Sequence, residues 1–213
     1  GFCCLFANSV MLGLALTERA FGSDALQANY AIIAVHSPFC YGLGITAMEF
    51  ARAREAGTSI VRLPAMVLKA MFSNVLIIAL ALGFLVNVSG LSIPTTLQGA
   101  LDMMVRTALP TALFALGGVL YRYRPEGDMK VILFACSLSL ILHPAITFTL
   151  GSFTHLSEAG MRSAVMTSAM APGVNVYIFA SIYQRALRVA ASTVLIATAL
   201  SVFSAWFWLS VLP

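Results

Sequence analysis

The residues best suited to chemistry lie in the run Ser168-Ala169-Met170-Ala171-Pro172-Gly173-Val174-Asn175-Val176-Tyr177. Pro172 has no N–H and its ring clashes with the preceding turn, so a helix is interrupted there. Gly173 frees the backbone beside the interruption. Asn175 adds an amide and Tyr177 a phenol. A helix restarting after Pro172 would aim unpaired N–H groups and the positive end of its dipole at an anion. A plain proline kink packed on a neighbour is an equal reading of this motif alone, because Pro and Gly are frequent in membrane helices.

A second polar patch, Asn8-Ser9, sits inside the apolar run Phe6–Gly13. Small polar pairs more often glue helices together. Its position adds meaning: Asn8 lies eleven residues before Arg19, and Gly173 twelve before Arg185. The two interruptions would then share one depth in segments of opposite direction, as in an inverted-repeat carrier.

His36 in His36-Ser37-Pro38 and His143 in His143-Pro144 are the candidates for proton or ion coupling. A mid-membrane imidazole can relay protons, although a hydrogen bond across helices is its commoner role. Asp102 and Arg106, four apart, are expected to pair on one helix face. The small-residue run Ala115-Leu116-Gly117-Gly118 would permit close helix contact. Ser73-Asn74 reads as packing. Cys3, Cys4, Cys40 and Cys136 lack metal-ligand spacing and read as small buried hydrophobes. No H-E-x-x-H, G-x-S-x-G, P-loop or aspartate-rich prenyl-diphosphate motif occurs, so an enzyme is not expected. No resident cofactor is expected; H+ or Na+ remains open as a coupling ion.

The elements that must hold these residues follow from composition. Hydrophobic residues make up 60% of the 213-residue chain and charged ones 9%. Soluble domains have about 45–50% apolar and about 25% charged residues, so the solvent for most of this chain is a bilayer. Spanning structure must then be helical, because the apolar runs are too continuous for barrel strands. The net charge of +4 does not indicate nucleic acid, since the basic residues sit between apolar runs.

Seven transmembrane segments are predicted, at 1–17, 27–50, 65–87, 96–121, 130–152, 161–184 and 189–211. Nine basic residues fall on one side: Arg52, Arg54, Arg62, Lys69, Arg122, Arg124, Lys130, Arg185 and Arg188. Three fall on the other: Arg19, Arg106 and Arg162. The positive-inside rule makes the richer side cytoplasmic. Asn87-Val88-Ser89 on the opposite side matches a glycosylation sequon of little weight. The chain opens at Gly1, without Met or signal peptide, directly into an apolar stretch, which reads as a fragment boundary.

In this order the features resemble the auxin efflux carrier family, in its bacterial branch of malonate or dicarboxylate transporters. Phe6–Leu16 followed by Ala20-Phe21-Gly22 is similar to that family's first crossover helix. Ser73-Asn74 resembles the Asn-Pro that opens its second half, without the proline. Ala112–Gly118 resembles its phenylalanine–small–Leu-Gly helix. Ala171–Ala180 resembles its second crossover helix and is the most specific stretch. Ala7 replaces the proline of many relatives, which predicts a milder first break.

The resemblance implies an all-α fold of ten helices in two inverted five-helix repeats, with two broken helices crossing near the substrate. On that template the seven segments are the last seven. The chain would be one transmembrane domain: residues 1–50 end the first repeat, 51–64 form a cytoplasmic linker, and 65–213 form the second repeat. The implied function is secondary active transport of small organic anions such as dicarboxylates, by an elevator-like or rocking motion. Asn8, Ser9, Pro172, Gly173, Asn175 and Tyr177 would form the substrate site. Expected partners are the organic anion and the lipid bilayer of the inner (plasma) membrane, with a homodimer left open. The rival reading is a membrane-embedded metabolite sensor or regulatory subunit without transport.

Overall fold

A computed structural model of the chain describes residues 1–55, 63–73, 75–122 and 127–212. Eleven α-helices account for nearly all of it. Helix α1 (Phe2–Leu5) leads through a π-helical turn, Ser9–Gly13, into α2 (Leu14–Phe21). Gly22 makes the sharp exit from α2 at φ 87°, a left-handed backbone that favours glycine. Then follow α3 (Leu26–Glu55), α4 (Leu63–Phe72), α5 (Val75–Ser89) and α6 (Thr95–Arg122). Helix α7 (Met129–Ser137) passes through a second π-helical turn, Leu138–Leu142, into α8 (His143–Phe153). Helices α9 (Glu158–Ser168), α10 (Val174–Tyr183) and α11 (Leu187–Val211) complete the chain.

Each predicted segment contains helix among the described residues, with the first interrupted at 6–8 and the sixth at 169–173. Among the described residues, three continuous stretches are long and apolar enough to cross a membrane: Ser23–Glu55, Met129–Phe153 and Leu187–Val211. The 25 residues of α11 extend about 37 Å, more than the ~30 Å hydrocarbon core. The exterior matches a lipid solvent: Phe153, Trp206 and Phe203 are 76%, 73% and 69% exposed. In water such a surface would be an aggregation hazard.

The third predicted segment is not one helix. Helix α4 stops at Phe72, and Ser73 closes its end with its N–H and its hydroxyl both donating to the Lys69 carbonyl, at 3.0 and 2.7 Å. Asn74 lies outside the described residues, as do 56–62 of the 51–64 linker and 123–126 of the connector before α7. The pairing of Asp102 with Arg106 is not made: Asp102 instead accepts from Gln98 Nε2 at 2.8 Å. Gly118 meets nothing within 4 Å of an added Cβ, so it makes no close helix contact among the described residues.

The chain groups into two compact units, whose boundaries fall inside α3 and α6. One comprises Gly1–Ala34 with Thr111–Pro213, the other Val35–Pro110. In the first, Ala7 packs into a core of Met161, Val165, Met166, Ala169 and Met170 beside Ala205 and Trp208 of α11. A neighbouring cluster joins Ile132, Cys136 and Leu140 to Ala171 and Ala197. Both interrupted segments therefore contribute to the buried clusters of this unit. In the second, Cys40, Tyr41 and Ile45 are buried along α3, and Glu49 pairs with Arg52 at 3.5 Å.

Candidate functional site

Two interruptions break the helices of the first unit, and they meet. Between α1 and the π-turn the chain leaves helical geometry at Phe6, with φ −102° and ψ 91°. Between α9 and α10 it does so before Gly173, which is extended at φ −74° and ψ 164°. The two strands of backbone cross as a single antiparallel bridge, Ala7 against Pro172. The Asn8 N–H donates to the Ala171 carbonyl at 2.7 Å, and the Gly173 N–H to the Phe6 carbonyl at 3.2 Å.

The bridge explains how helix breaks survive inside a dry core. Buried backbone groups must find partners, and here each break supplies the partners the other lacks. Pro172 sits at the pairing position and needs no partner for an N–H. The first break forms without a proline and is shorter than the second, residues 6–8 against 169–173. Its backbone is held by the partner segment and by the Asn8 cap rather than by ring sterics.

Donors are distributed unequally. At the first break Asn8 Oδ1 accepts from the Met11 N–H at 3.3 Å, capping the π-turn. The Asn8 carbonyl accepts from Leu12 and Gly13 at 3.2 and 3.0 Å, and Ser9 N–H donates to Ala7 at 2.8 Å. Most N–H groups there are consumed internally. At the second break, Gly173 supplies no side-chain cap to α10. The N–H groups of Val174 and Asn175 therefore carry the orphan donors of a helix start.

Asn8 lies against that start. A Cβ added to Gly173 would stand 3.5, 3.6 and 3.7 Å from Asn8 Cα, Cβ and Cγ. With its oxygen engaged by Met11, the Asn8 amide has its NH2 group left to offer. Asn8 and Ser9 are buried, Pro172 and Gly173 are buried, and Asn175 and Tyr177 are half-buried. The crossing thus brings Asn8, Ser9, Pro172 and Gly173 together, with Asn175 and Tyr177 on the first turn of α10.

The histidines are placed differently. His143 opens α8 directly after the second π-turn, with Nδ1 buried and unpartnered. His36 belongs to the second unit, where its ring lies 3.6 Å from Cys40 Sγ. The four cysteines are free thiols.

A polar cluster that the sequence reading missed adjoins the crossing helices. Asn29 of α3 is fully buried and donates through Nδ2 to Thr17 Oγ1 of α2 at 3.3 Å and to Thr167 Oγ1 of α9 at 3.1 Å. Ser163 donates to the Ala25 carbonyl at 3.2 Å. The available signal was a pair of amides, Gln27 and Asn29, at the start of a membrane segment. Arg162 stacks over Phe21 at 4.8 Å and pairs with Glu158, tying α2 to α9 from the side.

A family model described as membrane transport protein matches residues 1–209. No curated protein matches the chain.

Proposed function

The chain belongs to the membrane transport protein family, the auxin efflux carrier family of the resemblance above, and from that premise we propose that it is a secondary active carrier of small organic anions such as dicarboxylates. The supporting observation is the paired crossing of Phe6–Asn8 with Ala171–Gly173, which leaves the α10 N-terminus uncapped beside the Asn8 amide. Orphan N–H groups and the helix dipole favour a carboxylate there. Asn8, Ser9, Gly173, Asn175 and Tyr177 form the binding site, and Pro172 fixes the break. Transport proceeds by an elevator-like or rocking motion of a seven-segment, inverted-repeat architecture. The basic connectors face the cytoplasm, and the membrane is the inner (plasma) membrane.

Uptake of radiolabelled dicarboxylates into proteoliposomes tests the reading. Saturable uptake that falls about tenfold or more in Asn175→Ala, as expected for a lost hydrogen bond to a charged group, supports it. A protein that binds a dicarboxylate in detergent yet moves none across the vesicle wall is a sensor and not a carrier.

A further inference from the structure

Two backbone carbonyls near the crossing have lost their ordinary helical donors. Pro144 has no N–H, so the Leu140 carbonyl, four residues before it, cannot receive the bond of a regular α-helix. That loss falls inside the π-helical turn Leu138–Leu142. Ala169 ends α9, and the donor four residues after it, the Gly173 N–H, is given instead to Phe6 at 3.2 Å. Both carbonyls converge on one side chain. Ser204 of α11 donates its hydroxyl to the Leu140 carbonyl at 2.8 Å and lies 3.4 Å from the Ala169 carbonyl. A hydroxyl carries one proton. At these distances it belongs mainly to Leu140, with Ala169 as a longer second arm. The packing agrees: Ala205 and Trp208 share a core cluster with Ala169 and Met170, and Leu140 shares one with Ala171.

We propose that Ser204 is a positioning residue for the anion site: its hydroxyl fixes the end of α9 against the π-turn and so keeps the second break paired with the first. Without that hydroxyl two carbonyls in a dry core must find other donors. The donor in natural helical register with Ala169 is the Gly173 N–H, which would have to leave Phe6. That exchange removes half of the bridge and shifts the start of α10 away from its place beside Asn8. Ser204 thus lets Gly173 serve the crossing instead of its own helix. It touches no substrate and acts through the backbone of the break. The effect on anion affinity rests on the carrier reading; the effect on the break does not.

The test compares Ser204→Thr with Ser204→Val, which share a shape and differ by the hydroxyl. Ser204 lines a cavity of about 340 Å³ beside Cys136, Leu200 and Trp208, so the added methyl groups have room. Two readouts are taken on the full chain. One is amide hydrogen exchange over residues 168–176 in detergent, followed by mass spectrometry. The other is concentration-dependent dicarboxylate uptake into proteoliposomes. In Ser204→Val, exchange over 168–176 accelerates about tenfold while exchange in α3 is unchanged. The apparent KM rises about tenfold as the competent fraction falls, and the maximal rate stays within about twofold because saturating anion restores the paired form. Ser204→Thr matches the wild type in both readouts. Wild-type values for either readout in Ser204→Val overturn the proposal, whatever the melting temperature. Equal defects in Ser204→Thr and Ser204→Val also overturn it, because the hydroxyl is then not what acts. If Ser204→Val fails to fold, Ser204→Ala takes its place. A wild-type protein that moves no dicarboxylate removes the carrier reading, and hydrogen exchange then decides the role of Ser204 alone.

Discussion

The N–H of Asn8 donates to the carbonyl of Ala171 at 2.7 Å, across a sequence separation of most of the chain. With the reciprocal bond from Gly173 to Phe6, this makes each helix break a condition for the other. Changes at one break should therefore be felt at both.

Pro172→Ala gives the second break an N–H that its buried position does not use. The new group must find a partner or remain unsatisfied, at a cost of about 1–3 kcal/mol. Extending α9 through Ala169–Ala171 would satisfy it but would withdraw the Ala171 carbonyl from Asn8. The expected outcome is a lower melting temperature and reduced dicarboxylate uptake. Wild-type values for both would remove Pro172 from the site.

Asn8 has two separable roles, which Asn8→Ser and Asn8→Ala should distinguish. Serine keeps an oxygen that can cap the π-turn at Met11 and loses the NH2 group beside α10. Its stability should stay within about 0.5 kcal/mol of wild type, while uptake falls about tenfold. Alanine loses the cap as well, and should destabilise by roughly 1 kcal/mol. Thermal unfolding and flux on the same preparations check this, and equal flux in wild type and Asn8→Ser would make Asn8 structural only.

Gly173 has room for a methyl group beside Asn8. Its φ of −74° is open to any L-residue, and an added Cβ would meet Asn8 at 3.5–3.7 Å, ordinary contact distance. Gly173→Ala should fold with nearly unchanged stability and raise the apparent KM by crowding the Asn8 amide. Gly173→Val adds two further methyl groups at a buried position already in contact with Asn8 and should destabilise by about 1–3 kcal/mol. Melting temperatures and concentration-dependent uptake separate the two.

Much of this was legible in the sequence. Pro172, Gly173 and Asn175 announced one break through backbone chemistry, and the long apolar runs announced a helical membrane protein. That Asn8 marks the first break was legible from its spacing to Arg19. The pairing of the two breaks was not, because a backbone bridge between Ala7 and Pro172 involves no side-chain type that a sequence displays. The Asn29 cluster escaped for a related reason. Thr17 stood among connector residues and Thr167 among small ones, and only the approach of α2, α3 and α9 joins them. The Asp102–Arg106 pair failed in the other direction: four-residue spacing permits a pair, and Gln98, also four away, took the carboxylate.

Helices α8 and α9 pack closely at Gly151. A Cβ there would stand 2.8 Å from Met161 Sδ, 2.9 Å from its Cε and 3.1 Å from Leu156 Cδ1. The two nearest atoms end a flexible thioether chain, which can move aside at modest cost. Gly151→Ala should therefore destabilise by about 1 kcal/mol and Gly151→Val by more, up to about 3 kcal/mol. Met161→Ala alone opens a cavity in the cluster around Val165 and Met166 and should cost about 2–5 kcal/mol. In the double variant Gly151→Ala with Met161→Ala, the new methyl occupies space the thioether has left. The two costs should then sum to less than their separate values, with an interaction of at least about 0.5 kcal/mol. Strict additivity in thermal or denaturant unfolding would mean that the Gly151 methyl meets something other than Met161, and that α8 and α9 are not packed as described.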